Sequence, residues 1–154
     1  MYEKILIPLD GSELAECVLP HVEALVTGCK IPNVVFARVI EPFRQTGGDS
    51  SVLTAEERHR IESLDKANAE KYLDNLVNRL NYDKALIRKE IIFGKPGDCL
   101  ADYATNNGVD LIMIATHGRS GVSRWVWGSV ADRILRSACV PVLMVRAPGC
   151  IPGI

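Results

Sequence analysis

Lys4-Ile5-Leu6-Ile7-Pro8-Leu9-Asp10-Gly11-Ser12 opens as a strand-length apolar run and stops on a carboxylate, a glycine and a hydroxyl. An apolar run with little alternation suits a strand covered on both faces. Four more short β-rich runs follow, Asn33 to Val39, Leu86 to Phe93, Asp110 to Ala115 and Val142 to Arg146. Between them lie segments of helical period. The first carries Leu14, Val18, Val22 and Leu25 on one face after a cap at Ser12. The second starts at Thr54, which with Glu57 has the spacing of a reciprocal capping box. Ile61, Leu64, Leu73, Leu76 and Leu80 continue its apolar side towards an end near Asn81. A third follows Pro96-Gly97 with Leu100, Tyr103 and Ala104, and a fourth is expected from about Gly121 to Ser137 with Val126, Val130 and Ile134. Strand, helix, strand, repeated four times, predicts a single doubly wound α/β domain: a five-stranded parallel sheet with helices on both faces. Arg88, Lys89 and Glu90 put three successive charges in the third run, which places it at a sheet edge.

Composition narrows the function classes. The chain has 154 residues, 47% hydrophobic and 24% charged, as expected of one globular domain that needs neither metal nor disulfides to fold. A formal net charge of −1 gives no overall attraction to nucleic acid or acidic lipid, so neither is an expected partner. The five cysteines, Cys17, Cys29, Cys99, Cys139 and Cys150, show no C-x-x-C pair and read as reduced thiols. No cleavable leader precedes the first strand, and the longest apolar runs fall far short of the roughly 20 residues that span a bilayer. A cytoplasmic location without a membrane anchor is expected. The Pro42 to Ser51 stretch reads as a loop, either a lid or a solvated excursion, and the tail from Ala147 to Ile154 as irregular.

In open parallel sheets ligands bind beyond the carboxyl ends of the strands, where helix amino termini present free amides. Two such ends are distinctive. Asp10 stands directly after the first strand, placed either to hold ribose hydroxyls or a magnesium-bound phosphate, or to act as a turn carboxylate before the first helix. After the fourth strand comes Ile114-Ala115-Thr116-His117-Gly118-Arg119-Ser120-Gly121-Val122-Ser123-Arg124-Trp125-Val126-Trp127-Gly128-Ser129. Glycines that let backbone amides approach closely, hydroxyls, cations and a helix start together suit a polyphosphate. The same residues also suit a glycine turn feeding an amphipathic helix.

The sequence resembles the ATP-binding branch of the universal stress proteins over nearly its whole length. That branch carries G-x2-G-x9-G-[S/T] after its fourth strand; the matching positions are Ala115, Gly118, Gly128 and Ser129, of which Ala115 departs. The opening Ile-Leu-Ile-Pro-Leu-Asp-Gly-Ser, the run from Asp110 and the closing Val140-Pro-Val-Leu-Met-Val-Arg resemble the family too. The resemblance implies a Rossmann-like strand order 3-2-1-4-5, with the first strand beside the fourth. It implies ATP as ligand, with Mg2+ carried on the phosphates and no metal ligand from the protein beyond Asp10. Asp10 would meet the ribose, Pro8 and Leu9 would line the base pocket, and the backbone of Val39 would read the adenine edge. Ile114, Ala115 and Gly118 would face the inner phosphates, Gly128, Ser129 and Val130 the outer ones, with His117 and Arg119 nearby. Alanine at 115 is harmless wherever its φ is negative. A homodimer through Val142 to Arg146 is also implied.

No G-x-x-x-x-G-K-[S/T] loop and no G-x-S-x-G nucleophile turn occurs, and His21, His59 and His117 are too scattered to argue a triad. The expected role is an ATP-dependent sensor or regulator in a stress response, with no catalytic residue assigned. A slow ATPase or nucleotidyl transferase and an ATP-free dimeric scaffold are the alternatives.

Overall fold

A computed structural model of the protein describes residues 2–42, 54–82, 85–116 and 128–146. Five strands form one parallel sheet: β1 (Lys4–Pro8), β2 (Asn33–Ile40), β3 (Leu86–Phe93), β4 (Leu111–Ala115) and β5 (Val142–Val145). Their order is β3-β2-β1-β4-β5, the expected one, with β3 at an edge. Among the described residues four α-helices connect them, α1 (Leu19–Cys29), α2 (Ala55–Arg79), α3 (Pro96–Asn106) and α4 (Ser129–Ser137). The chain steps outward from β1 to β3, then returns across the sheet to β4 and β5. Crossovers of one hand therefore deliver α1 and α2 to one face and α3 and α4 to the other. Two buried clusters record this. Ile5, Ile7, Val34, Phe36 and Met113 meet Val22, Leu73 and Leu76, whereas Leu6, Val35, Ile112 and Ile114 meet Leu100, Ala104 and Ile134.

The charges of β3 are accommodated by strand alternation at an edge. Lys89 turns to α2 and pairs with Asp74, while Glu90 lies against Tyr103 of α3, whose phenol is held above its usual range by burial first and by Glu90 next.

Local chemistry explains the helix boundaries, including those that differ from expectation. The Ser12 hydroxyl accepts from the Ala15 amide at 3.1 Å, but the segment starts as a 3-10 turn, Ala15–Val18. Pro20 has no N–H for the Glu16 carbonyl, which instead accepts from the Leu19 amide three residues on. The buried stripe is consequently Ala15, Val18, Val22 and Val26, and Leu14 and Leu25 are only partly covered. At α2 the capping box is present in both directions: Glu57 N–H to the Thr54 hydroxyl at 3.2 Å, Thr54 N–H to the Glu57 carboxylate at 2.7 Å. The helix is 25 residues long, about 37 Å at the α-helical rise, and overhangs the strands beneath it. Leu64 in its first half is accordingly 56% exposed, and burial falls on Ala69, Leu73 and Leu76. The helix stops at Arg79 because Leu80 is already extended.

The fourth helix begins at Ser129, not near Gly121. Gly128 has extended backbone, φ −50° and ψ 137°, and its N–H donates to the Thr116 carbonyl at 2.7 Å rather than to a preceding helical turn. The 42–51 loop beyond Pro42, the 117–127 segment with both tryptophans and the 147–154 tail lie outside the described residues. Among the described residues, no helix is long and apolar enough to cross a membrane.

Candidate functional site

The fold reverses direction between β1 and β4, which pair in register Ile5 to Leu111 and Leu6 to Ile112. Helices leave the two strands on opposite faces, so their carboxyl ends open a crevice. A cavity of about 330 Å³ occupies it, lined by the ends of β1, β2 and β4 and the starts of α3 and α4. Pro8, Leu9, Asp10, Val39, Ile114, Ala115, Gly128, Ser129 and Val130 all line it, brought together from four separate stretches of chain. His117, Gly118 and Arg119 lie outside the described residues.

On the β1 side the backbone leaves the strand late, for Leu9 N–H still donates to the Ala37 carbonyl at 2.9 Å. Asp10 then turns the chain. Its Oδ1 accepts from the Ser12 amide at 2.9 Å and from the Ser12 hydroxyl at 2.6 Å, an Asx turn reinforced by the side chain. Gly11 sits within this turn at φ +83°, a conformation that glycine adopts without a Cβ penalty. The carboxylate reading and the turn reading of Asp10 are therefore compatible: one oxygen shapes the turn while the residue lines the cavity.

On the β4 side, Thr116 forms the neck of the glycine segment. Its N–H donates to Val145 of β5 at 2.9 Å and its carbonyl accepts from Gly128 at 2.7 Å, so both ends of the segment are fastened at one point beside the sheet. Ala115 keeps strand geometry, and Lys30 is the only non-glycine residue with positive φ among the described residues. The methyl group at 115 thus brings no backbone strain. Gly128 caps α4 without a side-chain hydrogen bond. The amino end of that helix consequently brings backbone donors and a positive dipole end to the cavity that Asp10 also lines.

Sequence reasoning did not single out Arg38, Glu41, Pro96 and Leu100, which also line the cavity. Arg38 had a signal: it is the one cation within the apolar run Val34-Val35-Phe36-Ala37-Arg38-Val39-Ile40. The far wall depends on close packing of α3 on α4. A Cβ at Gly97 would collide with Cγ of Arg133 and stand 2.6 Å from its Cβ, and the Arg133 guanidinium pairs with Asp98. That hydrogen bond holds the Asp98 carboxyl below the usual carboxylate range. Gly97→Ala is expected to force α3 and α4 apart and destabilise the fold by about 2–3 kcal/mol, the upper part of the overpacking range, because Cβ of Arg133 is fixed by the helix backbone and cannot swing aside. Urea unfolding checks this, and an unchanged midpoint would contradict it.

A family model for the universal stress protein family matches residues 1–146, and the chain belongs to that family. Universal stress protein MJ0577 of Methanocaldococcus jannaschii is 29% identical, the match covering 95% of this chain and 96% of that protein. A solved structure of MJ0577 has a TM-score of 0.84 at 28% identity, covering 97% of this chain and 99% of its own. A family protein from Arabidopsis thaliana with AMP bound shares the fold at TM-score 0.64 and 15% identity, covering 95% and 92% of the two chains. A universal stress protein in complex with cAMP does so at 0.64 and 17%, covering 95% and 98%.

Proposed function

We propose that this chain binds ATP in the crevice between β1 and β4 and works as a nucleotide-dependent sensor or regulator in a stress response. The observation that carries the reading is the convergence of Asp10 and the amino end of α4 on one cavity. Its volume lies in the range of small-molecule pockets, about 300–1,000 Å³. A carboxylate on one wall suits ribose hydroxyls; backbone amides at a helix amino terminus suit phosphate. The adenine would lie against Pro8, Leu9 and the Val39 backbone. The phosphates would run along Ile114 and Ala115 to Gly128, Ser129 and Val130, with His117, Gly118 and Arg119 as further phosphate contacts. Mg2+ would travel on the phosphates. The family fold holds AMP in the Arabidopsis protein and cAMP in another member, which is consistent with an adenine nucleotide here.

The working form would be a homodimer through β5. Its outer edge pairs with no other strand among the described residues, and Leu143 on it is exposed. A second copy would cover that edge.

Isothermal titration of the purified chain with ATP and magnesium is expected to show saturable binding of one nucleotide per chain. Ala115→Leu, which adds a branched side chain at the cavity wall, is expected to abolish most of it. Absence of saturable binding by the unmodified chain would reject the reading in favour of an ATP-free scaffold.

A further inference from the structure

Arg38 lies two residues before the end of β2, on the strand face shared with Phe36 and turned towards α2. Its guanidinium is wedged between two surfaces. One is Gly11: a Cβ built there would stand 2.6 Å from Nη1, 3.2 Å from Cζ and 3.4 Å from Nη2 of Arg38. The cation therefore occupies the space that the missing side chain leaves. The other is the ring of Tyr72 on α2, whose centroid is 5.4 Å from Cζ, within cation–π range. The ring is anchored in turn, because the Tyr72 hydroxyl donates to Glu16 Oε1 at 3.0 Å while Arg79 donates to Glu16 Oε2 at 3.0 Å.

The two bonds from Ser12 to Asp10 Oδ1 set the shape of the turn, but they are internal to it. They do not determine where the turn stands relative to β2 and the cavity. The Leu9 amide on the Ala37 carbonyl fixes the chain to β2 as far as the turn; beyond it, Arg38, Tyr72 and Glu16 form a stack that runs from the turn to α2. Asp10 and Arg38 both lie close enough to influence the Tyr72 hydroxyl, the first raising its pKa and the second lowering it, behind the larger effects of burial and Glu16.

From this arrangement we infer that Arg38 is the positioning residue of the Asp10 turn, holding the carboxylate where it can read ribose hydroxyls and thereby favouring ribonucleotides. The inference rests on the nucleotide reading above. A planar guanidinium can lie against Gly11 on one side and the ring on the other, whereas a lysine ammonium presents a point charge and no plane. Arg38→Lys is therefore not conservative at this position.

The test compares binding of ATP and of 2′,3′-dideoxyATP, each with magnesium, by isothermal titration of the full chain. The unmodified chain, Arg38→Met, Arg38→Lys and Tyr72→Leu are measured. The unmodified chain is expected to prefer ATP. In Arg38→Met the ATP affinity should fall about tenfold while the dideoxy affinity changes by less than about twofold, the pattern of losing hydrogen bonds to one charged group. Arg38→Lys should not restore the preference. Tyr72→Leu, which removes the platform without altering any residue of the cavity lining, should reduce it in the same direction and serves if Arg38→Met does not fold. A parallel loss of both affinities, or an unaltered ratio between them, overturns the positioning role. Equal affinity of the unmodified chain for the two nucleotides also overturns it, since no ribose hydroxyl is then read. Failure of the unmodified chain to bind either one overturns the nucleotide reading itself, and this inference with it.

Discussion

Asp10→Ala is expected to weaken ATP binding by about ten- to a hundredfold, the loss that follows when hydrogen bonds to a charged group worth about 1.5–3 kcal/mol are removed. The effect combines two causes that a second variant separates. Oδ1 of Asp10 accepts from the amide and hydroxyl of Ser12, so alanine both deletes the proposed ribose ligand and loosens the turn that presents it. An asparagine side chain would keep an acceptor for Ser12 but replace the ionised oxygen by an amide, so Asp10→Asn should lose less affinity than Asp10→Ala. Both affinities are read by isothermal titration with ATP and magnesium. Asp10→Ala with unaltered affinity would leave the carboxylate a turn residue and nothing more.

Phe36→Ala is expected to produce the largest loss of stability, about 3–5 kcal/mol by the combined cost of lost transfer energy and a residual cavity. Phe36 is fully buried beneath α2, its ring 6.4 Å from that of Tyr82, and its strand is paired on both sides, with Ile7 of β1 and Lys89 of β3 as its register partners. Few neighbours can collapse into the gap without disturbing two ladders. For a chain of this length the melting temperature should drop by roughly 6–20 °C, at about 2–4 °C per kcal/mol. Leu64→Ala is the comparison: at 56% exposure it should alter stability by no more than about 0.5 kcal/mol, as surface substitutions do. Chemical unfolding of the two variants checks the contrast, and equal shifts would contradict the assignment of core and overhang.

Those two residues also show where sequence periodicity succeeds and where it stops. Strands are legible because each is an apolar run bounded by turn residues; the structural ladders match the expected ones to within a residue at either end. The edge position of β3 follows from Arg88, Lys89 and Glu90, since three charges are tolerated only where neighbouring helices leave room for Lys89 to reach Asp74 and Glu90 to reach Tyr103. The start of α2 is legible from Thr54 and Glu57 because a capping box is a local hydrogen-bond exchange that needs no tertiary partner.

Leu64 is different. Helical spacing marks it as apolar-side, but burial depends on how far the sheet extends beneath a 25-residue helix, which is a property of the assembled layers. The start of α4 fails for a related reason. Val126, Val130 and Ile134 keep a four-residue spacing through Gly128, yet the Gly128 amide is taken by Thr116, a contact that closes only when β4 and α4 are in place.

At the candidate site, Asp10 and the segment after β4 were legible as the distinctive strand ends of a parallel sheet, where ligands bind. The strand order that makes them neighbours and the places of Pro8, Leu9, Val39, Gly128 and Val130 were instead implied by the resemblance to the universal stress proteins. The packing partners were not legible. Pro96 and Leu100 reach the cavity through α3, and Arg38 reaches the Asp10 turn from the neighbouring strand. Each of these depends on distances between elements remote in sequence.

One physical arrangement underlies the proposed activity: a triphosphate held by the amino end of α4 and the adjoining glycine segment while Asp10 holds the sugar. A crystal structure of the protein grown with ATP and magnesium is its decisive test. Ribose hydroxyls should lie within hydrogen-bond distance of the Asp10 carboxylate, adenine beside Val39, and phosphate oxygens on the amides of Gly128, Ser129 or Val130. A nucleotide bound elsewhere, or a crevice that stays closed to saturating ATP, would contradict that arrangement.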